Sequence, residues 1–188
     1  MKPNQLLSIV NKINGSGMPE SLRKSALTLA FNTKIKYAGT TGISIQHWDV
    51  DKAVVNLKNR VHIQNHIGGI HATAMATLAE STTGMLFGLF VPDTHLPLLK
   101  SMKVSYTARA EGNLTAVATL SGEQKNQIQS TDKGSLIVPV VVTDSDGKEP
   151  IHVEMEWAWT TKRKKNKTGT DTSASTDSDG NGQVKSKL

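Results

Sequence analysis

Between Val61 and Pro92 the chain carries a single acid and no strong base, and that acid is Glu80. Its neighbours are Ala, Met, Leu, Thr, Gly and Phe. A carboxylate in such surroundings is costly unless it is paired, hydrogen-bonded or neutralised. Partial desolvation raises the pKa of a carboxyl group toward the range useful for taking a proton, so Glu80 is a candidate general base or nucleophile. Upstream, Asn65 precedes His71 by six residues and His71 precedes Glu80 by nine, with Gly68 and Gly69 between them.

The element that holds Glu80 is a helix. The run from Ala72 to Val91 has no Pro and is rich in Ala, Leu and Met, and Pro92 stops it. Counted to Val91 it has 20 residues, roughly 30 Å at about 1.5 Å per residue. Thr73, Thr77, Glu80, Ser81, Thr82, Thr83, Gly84 and Gly88 make it too polar for a membrane span. A helix that is apolar nearly all round is then one wrapped by its own protein.

The rest of the chain must do the wrapping. Pro3 to Ile13 and the stretch after Pro19, through Leu22, Ala26, Leu27 and Ala30, read as two short helices broken at Asn14-Gly15-Ser16-Gly17. Strands are expected over Thr41–Trp48 and Ala53–Leu57, with a hairpin turn at Asp49 to Lys52. Four more follow the long helix: Leu99–Ala110, Leu114–Leu120, Ser135–Thr143 and Ile151–Thr160. Leu114, Ala116, Ala118 and Leu120 share one face, as do Ile151, Val153, Met155, Trp157 and Trp159. Short turns between consecutive strands predict antiparallel pairing. The expected class is α+β, a curved antiparallel sheet around a central helix. The organisation expected is N-terminal helices over 1–34, a main domain over 35–161 and a disordered basic and polar tail over 162–188.

Composition narrows the function. There is no Cys, which excludes disulfides, thiolate metal sites and Cys nucleophiles and fits a cytoplasmic protein. Residues 1–5 do not open the apolar stretch of a secretory signal. The net charge of +6 is concentrated beyond Thr161, where seven bases face three acids. The near-neutral remainder argues against a nucleic-acid groove. A metal centre from His66, His71 and Glu80 lacks compact ligand spacing.

Asn65, Gly68, Ile70-His71-Ala72 and Leu78-Ala79-Glu80 resemble the signature of the PaaI-like acyl-CoA thioesterases. That signature reads Asn-x-x-Gly-x-x-His-Gly-Gly, with an acid nine residues after the His. Val104-Ser105-Tyr106, ahead of Ala110-Glu111-Gly112, is similar to the next strand of that family. The chain departs from it in reading His71-Ala72-Thr73, as a less characterised branch of the superfamily does, and in lacking the family's hydroxyl residue around Leu99 to Ser101. The resemblance implies the hotdog fold, with an antiparallel sheet wrapped around a long central helix. It also implies hydrolysis of an acyl-CoA thioester, with no metal and no cofactor, CoA being part of the substrate.

On that reading Glu80 activates water, and the first free N–H groups of the helix, at Ala72 and Thr73, receive the developing oxyanion. Asn65 orients water or substrate, or caps a turn; His71 polarises the carbonyl or fixes the loop. Gly68 and Gly69 shape a tight turn beside the substrate. The acyl group is expected beside the helix, against Met75, Leu78 and Met102, and the CoA phosphates near Lys100, Lys103 or Arg109. Ala72 and Glu80 lie eight residues apart, about 12 Å along one helix, so a shared carbonyl requires two chains. A homodimer, or a dimer of dimers, is therefore expected. A non-catalytic acyl-CoA or lipid-binding module on the same fold is the alternative. A third reading, in which the basic tail tethers RNA or membrane, ranks below both.

Overall fold

The computed structural model describes residues 4–162. The expectation of a disordered tail falls outside the described residues. Two helices, α1 (Gln5–Asn14) and α2 (Glu20–Lys34), lead through a short α3 (Lys36–Thr41) into the hairpin β1 (Ser44–Trp48) and β2 (Lys52–Leu57). Asp49 makes the hairpin turn, its Oδ1 accepting from the N–H groups of Asp51 and Lys52. A loop with one 3-10 turn (Val61–Ile63) carries the chain to the long helix α4 (Ala72–Gly88). Then come β3 (His95–Tyr106), β4 (Leu114–Thr119), α5 (Gly122–Ser130), β5 (Lys133–Ile137), β6 (Val140–Thr143) and β7 (Ile151–Thr161).

Two antiparallel sheets, ordered β1-β2-β4-β6 and β3-β7-β5, curve around α4. The expected strand Ser135–Thr143 is the seam between them. It breaks at Val138-Pro139, so that β5 pairs with β7 and β6 pairs with β4. Pro139 has no N–H to continue a ladder, while its carbonyl still accepts from Thr119 N–H and Val138 N–H still reaches Met155 O. All pairings are antiparallel, as expected, but only β1 and β2 are sequential strands that pair with each other. This is the hotdog fold.

α4 is buried along most of its length, with Leu78, Leu86 and Phe87 wholly enclosed. The predicted faces of β4 and β7 supply the wrapping: Leu114, Ala116, Ala118, Ile151, Met155 and Trp159 are all buried. Trp157 donates through Nε1 to Thr83 Oγ1 at 2.9 Å, and the Phe87 ring lies 5.6 Å from Trp157 and 6.0 Å from Trp159 between centroids. Helix and strand approach so closely that a Cβ on Gly84 would sit 2.7 Å from the Trp157 ring. No helix among the described residues is long and apolar enough to cross a membrane.

Further features depart from expectation. α4 ends at Gly88 rather than Val91, so it has 17 residues. Leu89 and Phe90 N–H groups meet Leu86 O and Phe87 O locally, while Asn4 Nδ2 donates from far away to Gly88 O and, beyond the helix, to Val91 O at 2.8 and 2.7 Å. The helix α5 was not foreseen, although Ser121 and Gln124 form a complete capping box at its start. It is polar and mostly exposed, with Ile128 its buried residue, so it carries almost no apolar period to detect. β3 begins four residues earlier than expected and contains a bulge between Leu99 and Ser101.

Candidate active site

Glu80 stands on the face of α4 that also presents Ser81, Gly84, Met85 and Gly88, the i, i+1, i+4, i+5 and i+8 positions. That face meets β7 at Gly84, which lies against the Trp157 ring, but the sheet does not cover the rest of it. It looks into a cleft of about 630 Å³ roofed by α1 and α2 and bounded by β3, whose other walls include Leu6, Ile13, Phe31, Trp48 and Trp157. The Glu80 carboxylate is half-buried. Its one hydrogen bond is from Ser81 Oγ to Oε2, a long 3.3 Å, and no cation pairs with it among the described residues. Burial pushes its pKa above the usual glutamate value, and the Ser81 hydroxyl opposes this in part. A carboxyl raised in this way in an apolar cleft is a candidate for proton transfer.

The loop before α4 is built by its own polar groups. Asn65 Oδ1 accepts from Ile67 N–H and Gly69 N–H, both at 3.1 Å, and the Asn65 backbone bonds to Gly68 and Gly69. Gly68 takes the left-handed φ of 79° that this turn requires. Asn65 therefore forms the turn through its oxygen, and the remaining function of its side chain is the Nδ2 donor. His71 is the N-cap of α4. Its Nδ1 accepts from Thr73 N–H at 3.2 Å and meets Thr73 Oγ1 at 2.8 Å, which places the ring proton on Nε2. Tyr106 Oη donates to Ala72 O at 3.0 Å and ties β3 to this helix end.

This geometry changes two expectations. Thr73 N–H is taken by His71, so of the two expected oxyanion donors only Ala72 N–H remains without a partner among the described hydrogen bonds. The residues expected to line an acyl pocket do not come together. Leu78 is wholly buried and Met75 nearly so, in the core, while Met102 is 47% exposed on β3. None of the three lines the cleft beside Glu80. The cleft was missed because two of its walls come from α1 and α2, and the amphipathic pattern of a helix does not say what it faces.

Two of the bases considered for CoA phosphates are already paired across β3 and β7. Lys100 Nζ bonds Glu156 at 2.7 Å and Lys103 Nζ bonds Glu154 at 2.9 Å. Arg109 has no ion pair among the described residues. No three His, Cys, Asp or Glu side chains cluster as metal ligands among the described residues.

The family model described as a domain of unknown function, DUF4442, matches residues 23–159. The chain belongs to the DUF4442 family. No curated protein matches it. Solved structures share the fold of this DUF4442 domain at low identity. A Pseudomonas aeruginosa protein of unknown function, named a probable thioesterase, is 21% identical with a TM-score of 0.66, over 77% of this chain and 97% of its own. A Staphylococcus aureus thioesterase is 16% identical with a TM-score of 0.57, over 66% and 98%. A Haemophilus influenzae thioesterase is 13% identical with a TM-score of 0.55, over 66% and 82%.

Proposed function

We propose that this protein hydrolyses an acyl-CoA thioester, with Glu80 as its general base. The observation that carries this reading is the Glu80 carboxylate, half-buried, without a cation and facing an apolar cleft. Glu80 takes a proton from water as the water oxygen bonds to the thioester carbonyl carbon, and the carbonyl oxygen becomes an oxyanion. Collapse of that intermediate breaks the C–S bond, the thiolate leaves with the proton held by Glu80, and a free acid and CoA result. Direct attack by the Glu80 carboxylate, through an anhydride that water then opens, gives the same products. The relatives named thioesterases support the reaction class. In the S. aureus relative, the residues replaced by alanine in two crystal structures are a glutamine and a glutamate fifteen positions apart. Asn65 and Glu80 have that spacing here.

Within one chain Ala72 and Glu80 lie about 12 Å apart along α4, so the oxyanion donor comes from a second protomer. β3 supports such pairing. Its 12 residues form a sheet edge, and they expose Leu96, Leu98, Met102 and Tyr106. A long apolar edge of this kind calls for a partner. Met102→Lys is expected to shift a dimer toward monomer in analytical ultracentrifugation and to lower turnover with it. A wild-type monomer with full activity would exclude the two-chain site.

The decisive assay is steady-state hydrolysis of short, medium, long and aromatic acyl-CoAs by the wild type and Glu80→Gln. Loss of turnover in the variant is expected, and equal rates would remove Glu80 from the mechanism. A binding-only module is the second reading, favoured by the occupation of Thr73 N–H by His71. It predicts saturable acyl-CoA binding without turnover.

A further inference from the structure

The cleft in front of Glu80 has a polar end and an apolar end. Glu80 and Ser81 on α4 and Lys34 at the C-terminus of α2 stand at one end. Leu6 and Gly88 line the other, with Val10, Trp48 and Met85 along the wall. The order follows from the helices. α2 runs on into α3, whose Tyr37 and Thr41 share a pocket with His71 and Thr73 at the start of α4. α1 begins at the opposite end, where Leu6 lies against Gly88. From Glu80 to Gly88 the floor extends eight residues, about 12 Å, with Gly84 packed against the Trp157 ring and Gly88 against Leu6 along it.

α1 covers this floor with Val10 buried and Leu6, Leu7 and Ile13 packed against the core. It is held by hydrogen bonds at both ends. Asn4 reaches Gly88 O and Val91 O, Gln5 N–H bonds the Asp93 carboxylate at 3.1 Å, and Asn14 Nδ2 donates to Trp48 O at 2.8 Å. The Asn4 bonds close the cleft at its apolar end. Ile9, Ile35 and Leu98 stay largely exposed along its rim.

We infer that this cleft is the acyl-chain site, and that α1 and α2 make the protein selective for medium- and long-chain acyl thioesters. The inference rests on the thioester reading and names its substrate class. The thioester lies at Glu80 and the alkyl chain runs under α1 toward Gly88. Lys34, which has no ion pair among the described residues, stands at the polar end, where it complements an anionic headgroup. A cavity of this volume with a few polar groups at one end matches the usual build of a small-molecule site. Apolar burial predicts that each added methylene strengthens binding by up to about fourfold until the chain reaches the closed end.

The test measures kcat/KM for butyryl-, octanoyl-, dodecanoyl-, palmitoyl- and benzoyl-CoA, together with dodecanoate binding by displacement of a fluorescent fatty acid. Wild type is compared with Ala30→Trp, which fills the cleft from α2, and with Ile9→Glu, which charges its wall from a half-exposed position expected to leave folding intact. Wild type is expected to prefer the octanoyl or longer substrates. Both variants are expected to lose tenfold or more on dodecanoyl-CoA while keeping butyryl-CoA turnover within about twofold. Hydrolysis with a preference for butyryl- or benzoyl-CoA, or variants that lower all substrates equally, overturns the acyl cleft and leaves the thioesterase reading intact. No hydrolysis, with dodecanoate binding weakened tenfold by either variant, supports the cleft and overturns the thioesterase reading. Neither hydrolysis nor binding overturns both.

Discussion

On one side of α4, Thr83 and Phe87 meet Trp157 and Trp159, and nothing the size of a methyl group can be added at Gly84. On the other side Glu80, Ser81 and Gly88 look across a cleft of about 630 Å³ at α1 and α2. The sheet side is filled and the helix side is hollow. Both are apolar, so hydrophobicity does not distinguish them; side-chain volume does. Large aromatics packed on the helix give contact density and stability, whereas the space between Glu80, Ser81 and the two N-terminal helices leaves room for a ligand. The one ionisable group of α4 stands on the hollow side, where its charge is least compensated.

Substitution at Glu80 gives the largest expected effect and divides the two sides most sharply. Glu80→Gln should lower kcat on the best acyl-CoA by roughly 10²–10⁴-fold, the usual contribution of a general base. It should also stabilise the protein. The native state raises the pKa of Glu80, so it holds that proton more tightly than the unfolded chain does. Native stability contributed by this group therefore falls as pH rises from the unfolded pKa through the folded one, and the ionised carboxylate is a net cost above that window. Thermal melts should show Glu80→Gln with the higher Tm near neutral pH and no advantage at about pH 4, below the unfolded value. A lower Tm at neutral pH would mean that the carboxylate is structural.

Trp157→Ala attacks the filled side. It deletes a buried indole and the bond to Thr83, and is expected to cost about 3–5 kcal/mol in chemical denaturation. Gly84→Ala tests the same contact from the helix. A Cβ 2.7 Å from the ring forces overpacking, at about 1–3 kcal/mol. A neutral result would show that the two elements are free to separate. Ser121→Ala touches neither side. Loss of the cap of α5 should cost about 1 kcal/mol and leave kcat/KM unchanged, so a change in activity would connect α5 to the site.

Much of the architecture was legible in the chain because it follows from local period. The alternation in Leu114–Leu120 and Ile151–Thr160 predicted the buried faces of β4 and β7, and an apolar run with one acid predicted a wrapped helix carrying Glu80. α5 was not legible because its polar surface leaves no period. Its capping box at Ser121 and Gln124 was the available signal. In the loop, the Asn65 and Gly68 types foretold a turn, but their spacing could not show that Asn65 Oδ1 would be consumed in making it. Nor could spacing show that His71 would take Thr73 N–H.

What the sequence determined by itself was the set of elements, the isolation of Glu80 among apolar neighbours and its distance of about 12 Å from the start of its helix. These depend on residues close together in the chain. Only the tertiary structure decided what meets the last carbonyl of α4, because the donor to Gly88 O is Asn4, 84 residues away. Only it decided which side of α4 is hollow, because that depends on α1, α2 and β3 converging on one face. A cavity is the volume that several distant segments together fail to fill, and no single segment encodes it.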